Sequence, residues 1–325
     1  MRRLPLLLAK AVFVSVIALT SADAQDAGTG HSPVSPRDGT PHSSSQFRSI
    51  ANAVVVDVCV TARDGSFVPA LTADDFLVLD GNRPQDVILF AGEERLPLAV
   101  TLLIDRSGSM RGAKLDAAKA AAVDFIDTLR EHDLVEVIAF NDQPSKLFPL
   151  GSEHDVARQS VSGLSGTGAT RLWDAVIFGL RDLQRGQRHQ AARYRQIMVI
   201  LSDGDDEKSL VPFDYVLDDV RRSGVIVYAV SFRTDDRNRG LAAPRELAQL
   251  AFDSGGRAAA VDSAASLARV YAEVAAEIRS LYQIGFVPSD PGDAGQWRSI
   301  SVRVPGRDLH VRTRSGYYSA GRPLP

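Results

Sequence analysis

The stretch that most constrains the fold is residues 98–109. Residues 98–104 form a run of strand length, apolar but for Thr101 and rich in branched side chains. Such a run suits a strand buried on both faces of a parallel sheet. It stops at Asp105, and Ser107, Gly108 and Ser109 follow before a helical pattern begins at Ala113. A carboxylate and two hydroxyls thus gather at the carboxyl end of a buried strand, where open α/β sheets bind their ligands. Hard oxygens at alternate positions of a loop suit Mg2+, Mn2+ or Ca2+. The same residues also suit a plain strand-to-helix turn capped by Ser109 or Asp105, so the rest of the chain has to decide.

From about residue 96 onward, strand and helix patterns alternate. Further buried strands are expected at 135–140, 197–201, 225–230 and 258–261. Leu115, Ala118, Ala122, Phe125 and Leu129 recur at three and four, one face of an amphipathic helix, and Leu172, Val176, Leu180 and Leu183 do the same. Val216 and Val220 suggest another helix, with two more at 244–252 and 267–281. This alternation predicts an α/β fold with a doubly wound, mostly parallel, Rossmann-like sheet.

The flanks read as β structure instead. Strands are expected at 54–60, 76–79 and 87–90, and again at 282–287, 300–304 and 309–313, with turn signals at Asp64-Gly65 and Asp80-Gly81-Asn82. A short helical turn is expected before the second strand, with Thr72 as its N-cap. Each flank is small for a core of its own. The two are therefore expected to pack together as a second, smaller β-sandwich, residues 49–95 with 280–325, beside an α/β domain at 96–279.

The N-terminus has the pattern of a targeting segment. Arg2 and Arg3 precede a mostly apolar run at 4–20, broken by Lys10, and Ala22-Asp23-Ala24 is a small-x-small cleavage signal. Residues 1–24 read as a secretory signal peptide, with an uncleaved anchor as the alternative. Residues 25–48 are rich in Gly, Ser, Pro and Thr and read as a disordered linker. The expected location is periplasmic or secreted. No membrane span is expected after signal cleavage, because no other run approaches the ~18 apolar residues a spanning helix needs. A net charge of −3 gives no pull toward nucleic acid. Cys59 is the single cysteine, so no internal disulfide forms; its strand context predicts a buried thiol.

If Asp105, Ser107 and Ser109 bind a metal, further oxygens are due from neighbouring strand ends. Thr170, before a helix, and Asp203, after the strand at 197–201, stand in the right loops. The phrases Asp105-x-Ser107-x-Ser109, Gly168-Ala169-Thr170-Arg171-Leu172-Trp173-Asp174-Ala175 and Leu201-Ser202-Asp203-Gly204-Asp205-Asp206 together resemble the metal-ion-dependent adhesion site of von Willebrand factor type A (VWA) domains. The flanking Asp74-Asp75-Phe76, Asp80-Gly81, Gln85, Tyr282, Arg312 and Arg314-Ser315-Gly316-Tyr317 resemble a bacterial group of VWA-related proteins first described from acidobacteria. The resemblance spans nearly all of residues 50–318. It departs at Ala169, where the family often has Gly; this matters only if the position needs positive φ.

The resemblance implies that Asp105, Ser107, Ser109, Thr170 and Asp203 hold a divalent metal, Mg2+ in the first place, with Mn2+ or Ca2+ as alternatives. It implies a protein partner whose carboxylate replaces a metal-bound water, hence adhesion or assembly in place of catalysis. Two carboxylates and three weak hydroxyl ligands agree with an ion that keeps waters. Arg106 and Arg111 lie beside the site and suit an anionic partner or a plain charged surface. Asp205, Asp206 and Glu207 read as a solvated loop in preference to groups behind the site. Trp173 reads as packed, and Asp174 as favourable to the helix dipole. By analogy, the helix at 267–281 is the element that shifts on ligand binding.

Two other classes compete: a scaffold module whose metal is a folding staple, and a Mg2+-dependent hydrolase. The enzyme class is poorly supported. The chain has no Gly-x-Ser-x-Gly elbow and no P-loop, and Arg171 stands where a dinucleotide fingerprint needs its third Gly. His132, His154, His189 and His310 show no metal-ligand spacing. A phosphatase using Asp105 as nucleophile would want a second Asp at the position of Ser107.

Overall fold

The computed structural model of the protein describes residues 53–92, 96–190, 194–203, 206–232 and 244–321. The expected signal peptide and linker lie outside them. All described residues belong to one compact unit.

The apolar run forms strand β5 (Leu98–Asp105), buried along its whole length. Before it come β1 (Val54–Thr61), β2 (Leu77–Asp80), β3 (Arg83–Gln85) and β4 (Val87–Ala91). After it come α1 (Ala113–Asp127), β6 (Leu134–Phe140), β7 (Pro144–Gly151), α2 (His154–Ser162), α3 (Leu172–Gln190) and β8 (Arg195–Ser202). Next are α4 (Phe213–Ser223), β9 (Ile226–Phe232), α5 (Arg245–Ser254), β10 (Ala258–Val261) and α6 (Ala264–Arg279). The chain closes with β11 (Tyr282–Phe286), β12 (Trp297–Arg303), β13 (His310–Thr313) and β14 (Gly316–Tyr318).

The central sheet has the order β10-β9-β8-β5-β6-β7 and is parallel except for the β6–β7 pair. Alternate residues of β5 enter different cores, as a two-sided strand requires. Leu98, Val100, Leu102 and Ile104 pack with α1 and α6 on one face, where Phe125 meets Tyr271 edge-on at 5.8 Å. Ala99 and Leu103 pack with α3, α4 and α5 on the other. This is the expected doubly wound sheet.

The flanks form two antiparallel sheets, β13-β1-β11-β4 and β14-β12-β2-β3, so strands from both sides of the α/β segment interleave. Val58, Val78, Tyr282, Ile284 and Phe286 are among the residues of the core that these sheets share. The two layers of the molecule are joined by Arg195. Its Nε donates to Asp57 Oδ1 at 2.8 Å, and its other nitrogens donate to the carbonyls of Ile278 and Leu281 at the end of α6. Cys59 is buried against the α/β core, as expected, and burial pushes its thiol up to about 11.

Four elements differ from expectation. Strands β3, β7 and β14 and helix α2 are additional. β7 carries Pro144 and Pro149 on the edge of the sheet, and β3 carries Pro84 on an edge, where a missing N–H costs no ladder bond. The short turn at Ala73–Asp75 forms with Thr72 as its N-cap, as expected, and Asp75 Oδ2 accepts the Thr72 N–H at 2.8 Å and the Thr72 hydroxyl at 2.9 Å. Among the described residues no helix is long and apolar enough to cross a membrane.

Candidate functional site

The parallel register aligns Ile104 of β5 with Leu201 of β8, so Asp105 and the Ser202-Asp203 step emerge at the same sheet edge. Asp105 is fully buried and Asp203 nearly so. After Asp105 the chain turns through a 3-10 turn at Gly108–Met110 before α1 begins. This folds Ser107 and Ser109 back over the strand end.

Four of the five expected residues form one hydrogen-bonded string. Asp105 Oδ1 accepts the Ser107 N–H at 2.7 Å, and Oδ2 accepts the Ser202 hydroxyl at 2.5 Å. Ser107 Oγ and Ser109 Oγ are 3.0 Å apart, and Ser109 Oγ donates to Asp203 Oδ1 at 2.7 Å. Each hydroxyl has one proton, so Ser107 donates to Ser109. Thr170 is buried in the adjacent loop at the same edge. Its carbonyl accepts from the backbone N–H groups of Glu207 and Lys208, which ties that loop to the segment after Asp203. Among the described residues, no hydrogen bond links the Thr170 side chain to the other four.

The loop that carries Thr170 is held against Ser107 by backbone. Gly108 N–H donates to the Gly168 carbonyl at 2.8 Å. Gly168 has φ of 81°, and a Cβ there would stand 2.0 Å from Asp142 Oδ2, so glycine is required. Ala169 has no positive φ, and the departure from the family phrasing is harmless.

Electrostatics favour a cation here. Burial pushes the Asp105 carboxyl up, and the nearby charge of Asp203 adds to this, against the hydrogen bonds from Ser202 and Ser107. Among the described residues, Asp105 has no cationic partner. Two buried carboxylates with hydroxyls between them offer a hard-oxygen donor set that fits a divalent ion. Among the described residues no three His, Cys, Asp or Glu side chains gather into a metal-holding group. The fit therefore depends on the hydroxyls.

A model of the von Willebrand factor type A domain matches residues 99–273, more than half of the chain. The chain belongs to the VWA domain family.

Two curated relatives place this VWA chain among larger proteins. An uncharacterised protein of Synechocystis is 29% identical over 117 residues, which cover 35% of this chain and 27% of that one. Inter-alpha-trypsin inhibitor heavy chain H4 of Homo sapiens is 27% identical over 198 residues, which cover 57% of this chain and 21% of that one. The VWA chain thus spans less than a third of the length of these relatives. Among solved structures, a von Willebrand factor type A protein from Catenulispora acidiphila aligns over 74% of each chain with 16% identity and a TM-score of 0.49. Proximal thread matrix protein 1 from the mussel byssus, with a zinc-occupied MIDAS motif, aligns over 57% of this chain and 48% of its own with 15% identity and a TM-score of 0.48.

Residues around the VWA site depart from the sequence reading in three places. Asp206 is no part of a merely solvated loop. Its Oδ1 accepts the Leu172 N–H at 2.8 Å, the Trp173 N–H at 3.4 Å and the Ser209 hydroxyl at 2.5 Å. It caps α3 from outside the helix, a role no local pattern announces. Asp174 does more than favour the helix dipole: its Oδ1 accepts the Leu210 and Val211 N–H groups, so helix and loop cap each other. Lys114, in the first turn of α1, reaches Asp203 Oδ2 at 2.5 Å. Its place just after the serine loop was the available signal. Trp173 is packed, with its ring 5.0 Å from that of Phe213. Arg111 is engaged with the Gly166 carbonyl at 2.9 Å. Asp205 lies outside the described residues.

Proposed function

We propose that this VWA protein holds a divalent cation through Asp105, Ser107, Ser109, Thr170 and Asp203. Through that cation it takes a carboxylate of a protein partner. VWA domains commonly mediate metal-dependent protein–protein interaction. The observation that carries the reading for this chain is the string from Asp105 through Ser107 and Ser109 to Asp203, with buried acids at both ends and, among the described residues, a cation on only one. When bound, the ion supplies a positive centre that neutralises the acids and attracts an anionic group. Ser202 and the Ser107 N–H fix the orientation of Asp105, Gly168 fixes the loop of Thr170, and exposed Ser109 stands at the mouth. An all-oxygen donor set favours Mg2+ over softer-ligand metals. The role is recognition, in adhesion or assembly, with no chemistry on the partner.

The organisation that accompanies this reading is a VWA domain at 96–279 between two halves of a β-sandwich, 49–95 and 280–325. It follows a signal peptide at 1–24 and a linker at 25–48, which direct the chain to the periplasm or beyond. The test is retention of the protein on immobilised glutamate-containing peptides and their glutamine counterparts, in Mg2+ and in chelator. Retention on the acidic set, lost in chelator and in Asp105→Ala, is expected. Equal retention on both sets, or indifference to chelator, would contradict carboxylate recognition through a metal.

A further inference from the structure

A cavity lies away from the metal-site edge, where the end of α4 faces β1 and β14. It has a volume of about 710 Å3, within the range of small-molecule pockets. Its apolar wall includes Val54, Val55, Pro288 and Pro291, and its charged wall is made of Arg221, Arg222 and Arg314. Among the described residues, no carboxylate lines it.

Two of the arginines are anchored and charge-balanced from behind. Arg221 donates from Nε and Nη2 to Asp253 Oδ2 at 2.9 and 2.5 Å and stacks on Trp297 at 4.9 Å. Arg222 donates from Nε to Asp218 Oδ2 at 2.8 Å and lies over the Tyr318 ring at 3.7 Å. Arg314 is different. Its Nη2 donates to the Val55 carbonyl at 3.0 Å, its Nε is buried without a hydrogen-bond partner, and among the described residues no carboxylate lies within ion-pair distance. Burial works against its charge. Among the described residues, a guanidinium kept charged under those conditions lacks a paired counter-ion: the charge of Asp57 reaches it from beyond ion-pair distance and is already held by Arg195.

We propose that this cavity binds a small organic monoanion, a carboxylate head on an apolar body, with Arg314 taking the head and the Val and Pro wall taking the body. The charge balance selects a monoanion. Among the described residues of the wall, with Arg221 and Arg222 neutralised by Asp253 and Asp218, one positive charge is left over. The planar guanidinium matches a carboxylate, and the fixed rings and prolines make the cavity preorganised.

The probe is dansyl-labelled undecanoic acid, with its methyl ester as the uncharged control, titrated into the full chain in chelator so that the metal site plays no part. Saturable one-to-one binding of the acid is expected, tighter than the ester by about tenfold or more. Arg314→Met should erase the difference between acid and ester, and Arg314→Lys should keep part of it. Ala320→Trp, which adds bulk from an exposed lining position, should weaken both ligands and covers the case in which Arg314→Met does not fold. Equal affinity for acid and ester in the parent chain, or an unchanged acid preference in Arg314→Met, would overturn the proposal. So would indifference of both ligands to Ala320→Trp.

Discussion

Lys114 Nζ stands 2.5 Å from Asp203 Oδ2, so an ammonium at the start of α1 already rests on one of the two acids of the candidate metal site. A divalent ion arriving between Asp105 and Asp203 meets this charge as repulsion. Lys114→Met should therefore tighten Mg2+ binding, by about tenfold at low salt, with the gain shrinking as salt screens it. Calorimetric titration checks this. Weaker binding in the variant would instead make Lys114 the group that positions Asp203.

Asp206 reaches the Leu172 and Trp173 N–H groups at the start of α3, two residues beyond Thr170. Asp206→Ala leaves the Leu172 N–H unpaired and frees Ser209, whose hydroxyl also accepts the Trp173 N–H at 3.0 Å, and should cost about 1–2 kcal/mol of stability, as lost N-caps do. It should also lower metal affinity by loosening the loop of Thr170. Asp206→Asn, which keeps an acceptor, should recover most of the stability. Urea unfolding of the three proteins separates these outcomes.

The order of strands and helices was legible because each buried strand is a continuous apolar run and each covering helix has one apolar face. Ala258–Val261 coincides with its expected bounds. β7 was not legible because its two prolines argue against a strand unless its place on the sheet edge is known. α2 was not legible because only Ala157 and Val161 of its nine residues are buried, too few to show a period. The five site positions rest on local phrases, and β5 and β8 bring the two phrases that carry Asp105 and Asp203 to one edge. Lys114 and Asp206 act across 89 and 34 residues of sequence; the place of Lys114 just after the serine loop was a signal, whereas the capping of α3 by Asp206 leaves no mark on local pattern.

Arg195 is buried and holds Asp57 together with two carbonyls at the end of α6. Arg195→Met strands a carboxylate and two carbonyls at the junction of the layers. The expected loss is about 3–5 kcal/mol, and Asp57→Asn added to it should restore part of that. A double-mutant cycle from urea midpoints measures the coupling. Additive effects would show that the contact carries no linkage between the layers.

Glu136 lies buried under α3 beside Asp182, with the Thr101 hydroxyl donating to its Oε2 at 3.0 Å and Lys146 3.4 Å from Oε1. Burial, then the hydrogen bond and charge of Asp182, push its carboxyl up from 4.5 to about 8. The folded state thus holds a proton that the unfolded chain releases. The stabilisation is complete below the ordinary value of 4.5 and is lost as pH rises toward 8. Glu136→Gln mimics the protonated form. Its stability relative to the parent should rise across that window, by a few kcal/mol on the order expected for such a shift. Denaturation in chelator at a series of pH values reads this directly, and a constant difference would contradict it.

The most direct measurement is calorimetric titration of Mg2+, Mn2+ and Ca2+ into metal-stripped protein, beside Asp105→Ala and Asp203→Ala. The structure predicts saturable binding of one ion, strongest for Mg2+ and abolished in both variants. Absence of binding in the parent chain, or binding that survives both substitutions, would contradict a metal held at the carboxyl ends of β5 and β8.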